Sequence, residues 1–573
     1  MKSIIAGLLF GAISLSSFGA VISQTEPTSE PSSQPASQSS ERFTMLNQYD
    51  GGFFTPTPNV QRDPRSGIYA IWYQNDPAVL SLPFISGGQV MEQWGKLEPK
   101  QGQYDWTALD EKLEELAKQN RNTTVQINGN EKPQWMFEKI PYHPQRISYQ
   151  VQDHKGTLMF WHPLFEKTYL DFIAALAKHI NESPYKKNVI GVRMNFNGLG
   201  TEGMTVSPQN RALSQWIVPK GATQGPAYTD ALAREYHKKV MQAYIDNFNG
   251  VTTVLLRGGI NDTLYQQYGE QIRSGKLAFF FTGASHKPSG PLPSFFAWCR
   301  QGLAFSYSEP YGDAWGNMGG RRIERDVPPA SAIYWQTLLE LNCGVSIIAC
   351  YGNDLEMAYS GKIPVMFGAG ANRPKVMPLP EEEGAPALSA SQPQKTDETL
   401  KQEFIDAFTF GAKYVGYHAS PEQASGAWIA MRQLKQYGSP ANKIISGDCT
   451  FLMKRLPDKS KPVEKIGDPS SRFYAYARLL PKGESMTLVL DPLFSKSLSG
   501  KDAKLSVRYF DNASGNFSVK AAGQTFSIPM KNTGKWELWE SPIQKADFTS
   551  TQDQLVITSG QQDLTLHMVE LTR

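Results

Sequence analysis

At 573 residues the chain exceeds what one hydrophobic core usually holds, so two or more folded units are expected. Its 57 basic and 54 acidic residues leave a net charge of +3, which excludes a nucleic acid or an anionic membrane held by bulk charge as the main partner. Aromatic residues make up 11%, a generous supply of rings for cores or for stacking on flat ligand faces.

In chain order, Lys2 precedes the apolar run "IIAGLLFGAISL", too short to span a bilayer comfortably, and small residues follow. This is the pattern of a secretory signal over residues 1–23, cut after Gly19, Ala20 or Ser23; an uncleaved anchor is the other reading. The protein is then exported, to a periplasm or beyond, with no membrane span once the signal is removed. Residues 24–44, rich in Ser, Pro and Gln, cannot bury apolar area and read as a disordered linker. Four cysteines, Cys299, Cys343, Cys350 and Cys449, permit disulfides but have no zinc spacing; they read as buried thiols.

From residue 45 to 440 apolar runs alternate with helical patterns. Eight strands are predicted at "GIYAIWY", "GQVMEQW", "TTVQIN", "VIGVRMNF", "TTVLLRG", "LAFFFTG", "LAFSYSE" and "VSIIACYG". Between them lie amphipathic stretches such as "WTALDEKLEELAKQ", which puts Leu109, Leu113 and Leu116 on one face. Strand then helix, eight times, is the (β/α)8 barrel, an α/β fold whose reacting groups sit at the C-terminal strand ends. Glu202, in the glycine-rich turn "NFNGLGTEGM", follows strand four, and Glu309 ends strand seven. Two carboxylates so placed can flank a glycosidic bond, one protonating the leaving oxygen and the other attacking the anomeric carbon or activating water. Taken singly, each is as well explained as a solvated loop acid or an ion-pair partner.

The segment "WGKLEPKQGQYDW" (94–106) resembles a signature of clan A glycoside hydrolases, above all the family 42 type β-galactosidases, and "NGNEKPQWM" (128–136) resembles their P-x-W segment. The resemblance covers residues 65–420. It implies a β-galactoside or galactan substrate, with agar, porphyran and carrageenan as a candidate group, and it carries the acid/base role to Glu202 and the nucleophile role to Glu309. The family places Asn directly before its acid/base, where Thr201 stands here; Asn195 or Asn197 is expected to supply that sugar contact instead. Readings beside this one are an inverting glycosidase and a noncatalytic carbohydrate-binding protein on a degenerate barrel.

Further candidates for substrate contact come from the strand ends. Trp94, Trp135, Trp161 and Trp315 are either sugar platforms or packing. Asn128 and Asn130 are hydroxyl binders or turn residues, and Arg193, a charge inside a barrel strand, needs a partner, either a catalytic acid or a structural one. His162 contacts substrate or caps the next helix; Tyr307 and Asp354, on strand seven and just after strand eight, complete the set. Glu98 is expected to be structural. Arg321 and Arg322 are solvated or meet an anionic sugar substituent. No metal or cofactor motif is present in the sequence, so none is expected. From residue 441 to 573 short alternating strands predict a jelly-roll-like β-sandwich, placed against the barrel or binding glycan.

Overall fold

The computed structural model describes residues 61–573, except 74, 202, 249–251, 258–261, 282–298, 301–304, 310–328, 362–396, 433–447, 469–470, 475 and 549–550. Eight strands close a parallel barrel: β1 (Gly67–Ile71), β2 (Ile85–Gln93), β3 (Asn122–Asn128), β4 (Val189–Arg193), β5 (Thr253–Arg257), β6 (Leu277–Phe281), β7 (Ser306–Ser308) and β8 (Ile347–Tyr351). These are the eight predicted runs, each paired with its neighbours in sequence and β8 closing on β1. Inside, Tyr69, Ile71, Leu255, Phe280, Tyr307, Ile347 and Ala349 pack into one apolar plug, so the interior is a filled core and not a pore.

The helices that wrap the barrel start where the sequence chemistry allows. α1 (Thr107–Lys118) buries Leu109, Leu113 and Leu116, the predicted face. α2 (Pro163–Glu182) opens with Pro163 in its first turn, and the His162 Nδ1 accepts the Leu164 amide at 3.2 Å. α3 (Asp230–Asn247) is capped by Thr229, whose hydroxyl accepts the Leu232 amide at 3.1 Å. α4 (Asp262–Arg273), α5 (Pro329–Cys343), α6 (Gly352–Ser360) and α7 (Asp397–Tyr414) complete the described shell.

Two antiparallel sheets follow. The larger joins β9 (Gly426–Ala430), β10 (Cys449–Phe451), β12 (Lys461–Glu464), β13 (Tyr476–Leu480), β15 (Ala503–Asp511), β18 (Lys535–Ile543) and β20 (Leu564–Thr572); the smaller joins β11 (Met453–Arg455), β14 (Ser485–Leu490), β16 (Ser514–Ala521), β17 (Gln524–Lys531) and β19 (Gln554–Thr558). They face each other: Tyr509 meets Phe517 edge-on at 5.0 Å and Trp539 meets Phe526 at 5.4 Å across the gap. β9 lies ahead of the expected boundary at 440/441, yet pairs along its whole length with β20, Gly426 with Thr572 through Ala430 with Met568. A short helix, Pro492–Leu498, interrupts the strands where "DPLFSKSL" supplies an aspartate cap and a proline first turn.

The larger sheet is buried on its second face as well, because it lies on the barrel. Trp335 of α5 is fully buried, its indole N–H donating to the Tyr474 carbonyl at 3.0 Å and its ring edge-on to Tyr476 at 4.9 Å. The Tyr334 hydroxyl lies 2.9 Å from His567 Nε2, and Glu570 takes Lys413 of α7 at 2.9 Å. α5 is buried nearly all round because it serves two cores at once. All four cysteines are buried and free, as expected.

Candidate active site

The mouth of the barrel, at the C-terminal strand ends, is built from polar residues that break otherwise apolar runs. Glu309 follows β7 and is 6% exposed. Its two oxygens have different partners: Arg193, last residue of β4, donates Nη1 to Oε2 at 3.3 Å, and the Tyr351 hydroxyl, at the end of β8, donates to Oε1. The same Arg193 Nη1 donates to Gln126 Oε1 of β3 at 2.6 Å, and its guanidinium lies 4.0 Å over the Phe280 ring. A buried cation thus has a carboxylate, an amide oxygen and a π face to replace its water. The partner that Arg193 needed is Glu309, the acid at the end of β7.

The network continues along β3. Gln126 Nε2 donates to Asn128 Oδ1 at 2.6 Å, and Asn195 Nδ2 reaches that oxygen at 3.3 Å and the Ile127 carbonyl at 2.7 Å. Two hydrogen-bonding atoms remain unspent: Asn195 Oδ1 is buried with no partner among the described residues, and the Asn128 amide nitrogen meets only the Met91 sulfur, at 3.0 Å. An acceptor and a poorly satisfied donor side by side suit a hydroxyl.

The other asparagines are occupied. Asn197, at a φ of 52°, accepts the Gly129 amide at 2.8 Å and donates to Ile127 O at 3.1 Å and Tyr169 OH at 3.0 Å. Every polar atom is used, so it holds the turn and presents nothing to a sugar. Asn130 is likewise spent, on the Gln150 carbonyl at 2.6 Å and on the Thr201 hydroxyl at 2.8 Å. Thr201 therefore braces the turn from within. That turn closes through a bridge between Leu199 and Gly203, and Gly200 has a φ of 77° with Gln150 so near that a Cβ would fall 2.2 Å from its side chain. Glu202, Trp315, Arg321 and Arg322 lie outside the described residues.

The tryptophan candidates divide by burial. Trp94 is fully buried among Phe165, Tyr169 and Phe172, its N–H on Glu98 Oε2 at 2.8 Å; a ring with no free face stacks on nothing. Glu98 also accepts the Gly102 amide at 3.0 Å, the structural part expected of it, and burial pushes its carboxyl up. Trp161 is buried edge-on to Trp216 and Tyr228, with its N–H on the Pro226 carbonyl at 3.0 Å. Both correct the platform reading. Trp135 is half-buried, its N–H without a partner among the described residues.

His162 resolves to the cap: with Nε2 3.0 Å from Thr223 Oγ1 and Nδ1 on α2, both ring nitrogens are taken, and burial lowers its pKa. Tyr307 lies in the apolar plug against Phe280 at 5.4 Å, one layer below Glu309, and burial pushes its phenol far up. Asp354 is buried in the first turn of α6. Gln126 and Tyr351 were not foreseen. The signal for Gln126 was a lone amide at an inward position of "TTVQIN", and for Tyr351 a hydroxyl at the end of β8.

Residues 89–217 match the model of a family described as Beta-galactosidase, glycoside hydrolase 42. The match runs from β2 through the turn after β4, and over those residues it bears out the resemblance read from the sequence. No curated protein matches the chain. Among solved structures, the catalytic domain of β-amylase from Paenibacillus polymyxa is 12% identical, over 50% of this chain and 93% of its own, with a TM-score of 0.30. Xylanase B from Clostridium stercorarium F9 is 10% identical over 50% and 86%, TM-score 0.30. An endo-β-1,4-xylanase of family 10 from Gloeophyllum trabeum is 12% identical over 52% and 87%, TM-score 0.28. At such scores these likenesses carry no argument, and the barrel rests on its own strand order. Among the described residues no cluster of His, Cys, Asp or Glu could hold a metal ion, and no helix is long and apolar enough to cross a membrane.

Proposed function

We propose that this protein is an exported glycoside hydrolase that cleaves β-linked galactosides or galactan, with Glu309 as nucleophile and Glu202 as acid/base. The observation that carries this reading is the setting of Glu309: a buried carboxylate at the end of β7, gripped on one oxygen by Arg193 and on the other by Tyr351. A carboxylate so oriented keeps a lone pair on each oxygen for an anomeric carbon arriving from the mouth. The family 42 match over residues 89–217 supports a β-galactoside as the substrate class.

In the first step Glu309 bonds to the anomeric carbon as the glycosidic C–O bond breaks, and Glu202 gives its proton to the departing oxygen. In the second, Glu202 takes a proton from water as the water oxygen displaces Glu309 and frees the sugar. Asn195 Oδ1 accepts from a sugar hydroxyl next to the reacting carbon, the part that Thr201, committed to Asn130, does not play.

The test is Glu202→Ala. Turnover of natural oligosaccharides should collapse while an aryl glycoside, whose phenolate leaves with little protonation, reacts far better. Azide should restore turnover as a glycosyl azide of retained configuration. Equal losses on both substrates without azide rescue would remove the acid/base role, and an inverted product would replace double displacement by direct attack of water.

A further inference from the structure

Among the described tryptophans one stands open: Trp72, 45% exposed, the residue directly after β1. Its backbone φ is 50°, a left-handed conformation that crowds any Cβ, and among the described residues no other non-glycine residue at positive φ is aromatic. Bulky residues are held there only when something outweighs the cost, and the usual return, burial of the ring, is missing. The position is specific. Ile71 pairs in register with Tyr351, the residue that grips Glu309, so Trp72 stands on the rim next to that network.

A second exposed ring stands on the other side. Tyr149 is 80% exposed on the loop between β3 and α2. That loop is fastened to the turn after β4: Ser148 Oγ donates to the Leu199 carbonyl at 3.4 Å, and Asn130, which donates to the Gln150 carbonyl at 2.6 Å, accepts the Thr201 hydroxyl at 2.8 Å. One open ring therefore adjoins the Glu309 network and the other adjoins the turn that carries position 202. At the same barrel mouth are Asn195 Oδ1, without a partner among the described residues, and the Asn128 amide nitrogen, held only by the Met91 sulfur. Two apolar faces at one mouth with hydroxyl-binding groups fit a chain of sugar rings better than a protein surface, which would need a continuous apolar patch.

Resting on the hydrolase reading above, we propose that Trp72 and Tyr149 are saccharide platforms on opposite sides of the scissile bond, so that the substrate is an internal stretch of a polysaccharide and cleavage is endo. A residue-by-residue exo enzyme needs sugar contacts on one side only. Platforms on both sides commit binding energy to chain continuing past the bond in both directions.

The experiment compares wild type with Trp72→Ala, Trp72→Phe, Trp72→Gly and Tyr149→Ala. Substrates are agarose, porphyran, κ-carrageenan and β-1,4-galactan, beside 4-nitrophenyl β-galactoside. Wild type should release oligosaccharides of mixed length at the earliest times. Either alanine variant should lower kcat/KM on the polymer roughly tenfold and leave the nitrophenyl glycoside within about twofold, while Trp72→Phe recovers most of the loss. Trp72→Gly relieves the backbone and should lose polymer activity without a fall in Tm. Monosaccharide as the sole early product, unchanged polymer kinetics in both alanine variants, or a lower Tm for the glycine variant would overturn the proposal. Cleavage of the aryl glycoside with every polymer left intact would also overturn endo action; if neither is cleaved, the hydrolase reading fails by itself, and electrophoresis through gels containing the same polysaccharides decides the platforms: retardation of wild type that Trp72→Ala loses supports them, and equal mobility rejects them.

Discussion

Two buried carboxylates, Glu309 at the barrel mouth and Asp448 in the C-terminal region, both sit against arginine and serve opposite ends. Asp448 Oδ1 accepts the Arg432 amide at 2.8 Å and Arg478 Nε at 2.7 Å, while Oδ2 accepts Arg455 Nε at 2.9 Å. Those arginines come from both sheets, Arg478 from β13 and Arg455 from β11, and Arg432 lies 5.2 Å over Trp335 of the barrel's α5. Asp448 is a knot that ties three layers. Among the described residues Glu309 has one donor per oxygen and lies at a mouth in which Asn195 Oδ1 lacks a partner. The same chemistry is structural where the acceptor is wrapped by elements that must stay together, and under the proposed function it is reactive where the described donors hold the carboxylate from one side.

Exchanging the perturbations tests that contrast most directly. Glu309→Gln should lower kcat on the order of a thousandfold or more, with denaturant midpoint nearly unchanged, because the amide keeps the shape and loses the nucleophile. Asp448→Ala should do the reverse: a loss of about 3–5 kcal/mol in urea unfolding, from the arginines left uncompensated, with near-normal turnover per folded molecule. Comparable stability losses in both would erase the distinction between the two carboxylates.

Acid should open the seam next. His567 and His418 are each lowered to about 3, first by burial, then by nearby arginines: Arg508 and Arg472 at His567, Arg300 at His418. Both touch α5, His567 through Tyr334 and His418 through the Leu341 carbonyl at 2.6 Å. Below pH 6.5 the unfolded chain binds protons there that the folded chain refuses, so stability falls as pH drops from 6.5 toward 3, by up to about 1.4 kcal/mol per unit per histidine. His567→Gln should shallow that slope in a pH series of urea melts, and an unchanged slope would remove His567 from the account.

Two asparagines two residues apart sharpen the comparison within the mouth. Asn195→Ala should cost roughly tenfold in kcat/KM at little cost in Tm, whereas Asn197→Ala should lower Tm, since it alone answers the Gly129 amide. Least of all, His162→Ala should cost about 1 kcal/mol of stability through the lost cap and leave KM untouched; a raised KM would return His162 to the substrate.

The barrel was legible because each of its strands is an apolar run bounded by turn residues, and the alternation with helices admits few other topologies. Glu309 was legible for the same reason, as an acid at a numbered strand end. What escaped depended on direction. "WGKLEP" and "FWHP" give no sign that Trp94 and Trp161 point into packing between strand and helix, while Trp72, in the middle of an apolar run, turns outward through a backbone angle that no pattern announces. Gln126 was passed over because one polar residue hardly disturbs a strand pattern, although inside a barrel it must find a charged or polar partner. β12 was missed on composition: "KPVE" is charged, contains proline and is mostly exposed, which suits only an edge strand.

The pairing of β9 with β20 also sets a timetable. Ile429 leaves the barrel's last described helix almost at once, but its partner Val569 lies at the far side of the C-terminal sequence, and β20 is the strand against which β9, β13 and β15 all register. During synthesis Tyr334 and Trp335 on the outer face of α5 must therefore wait for their His567 contacts until β20 arrives.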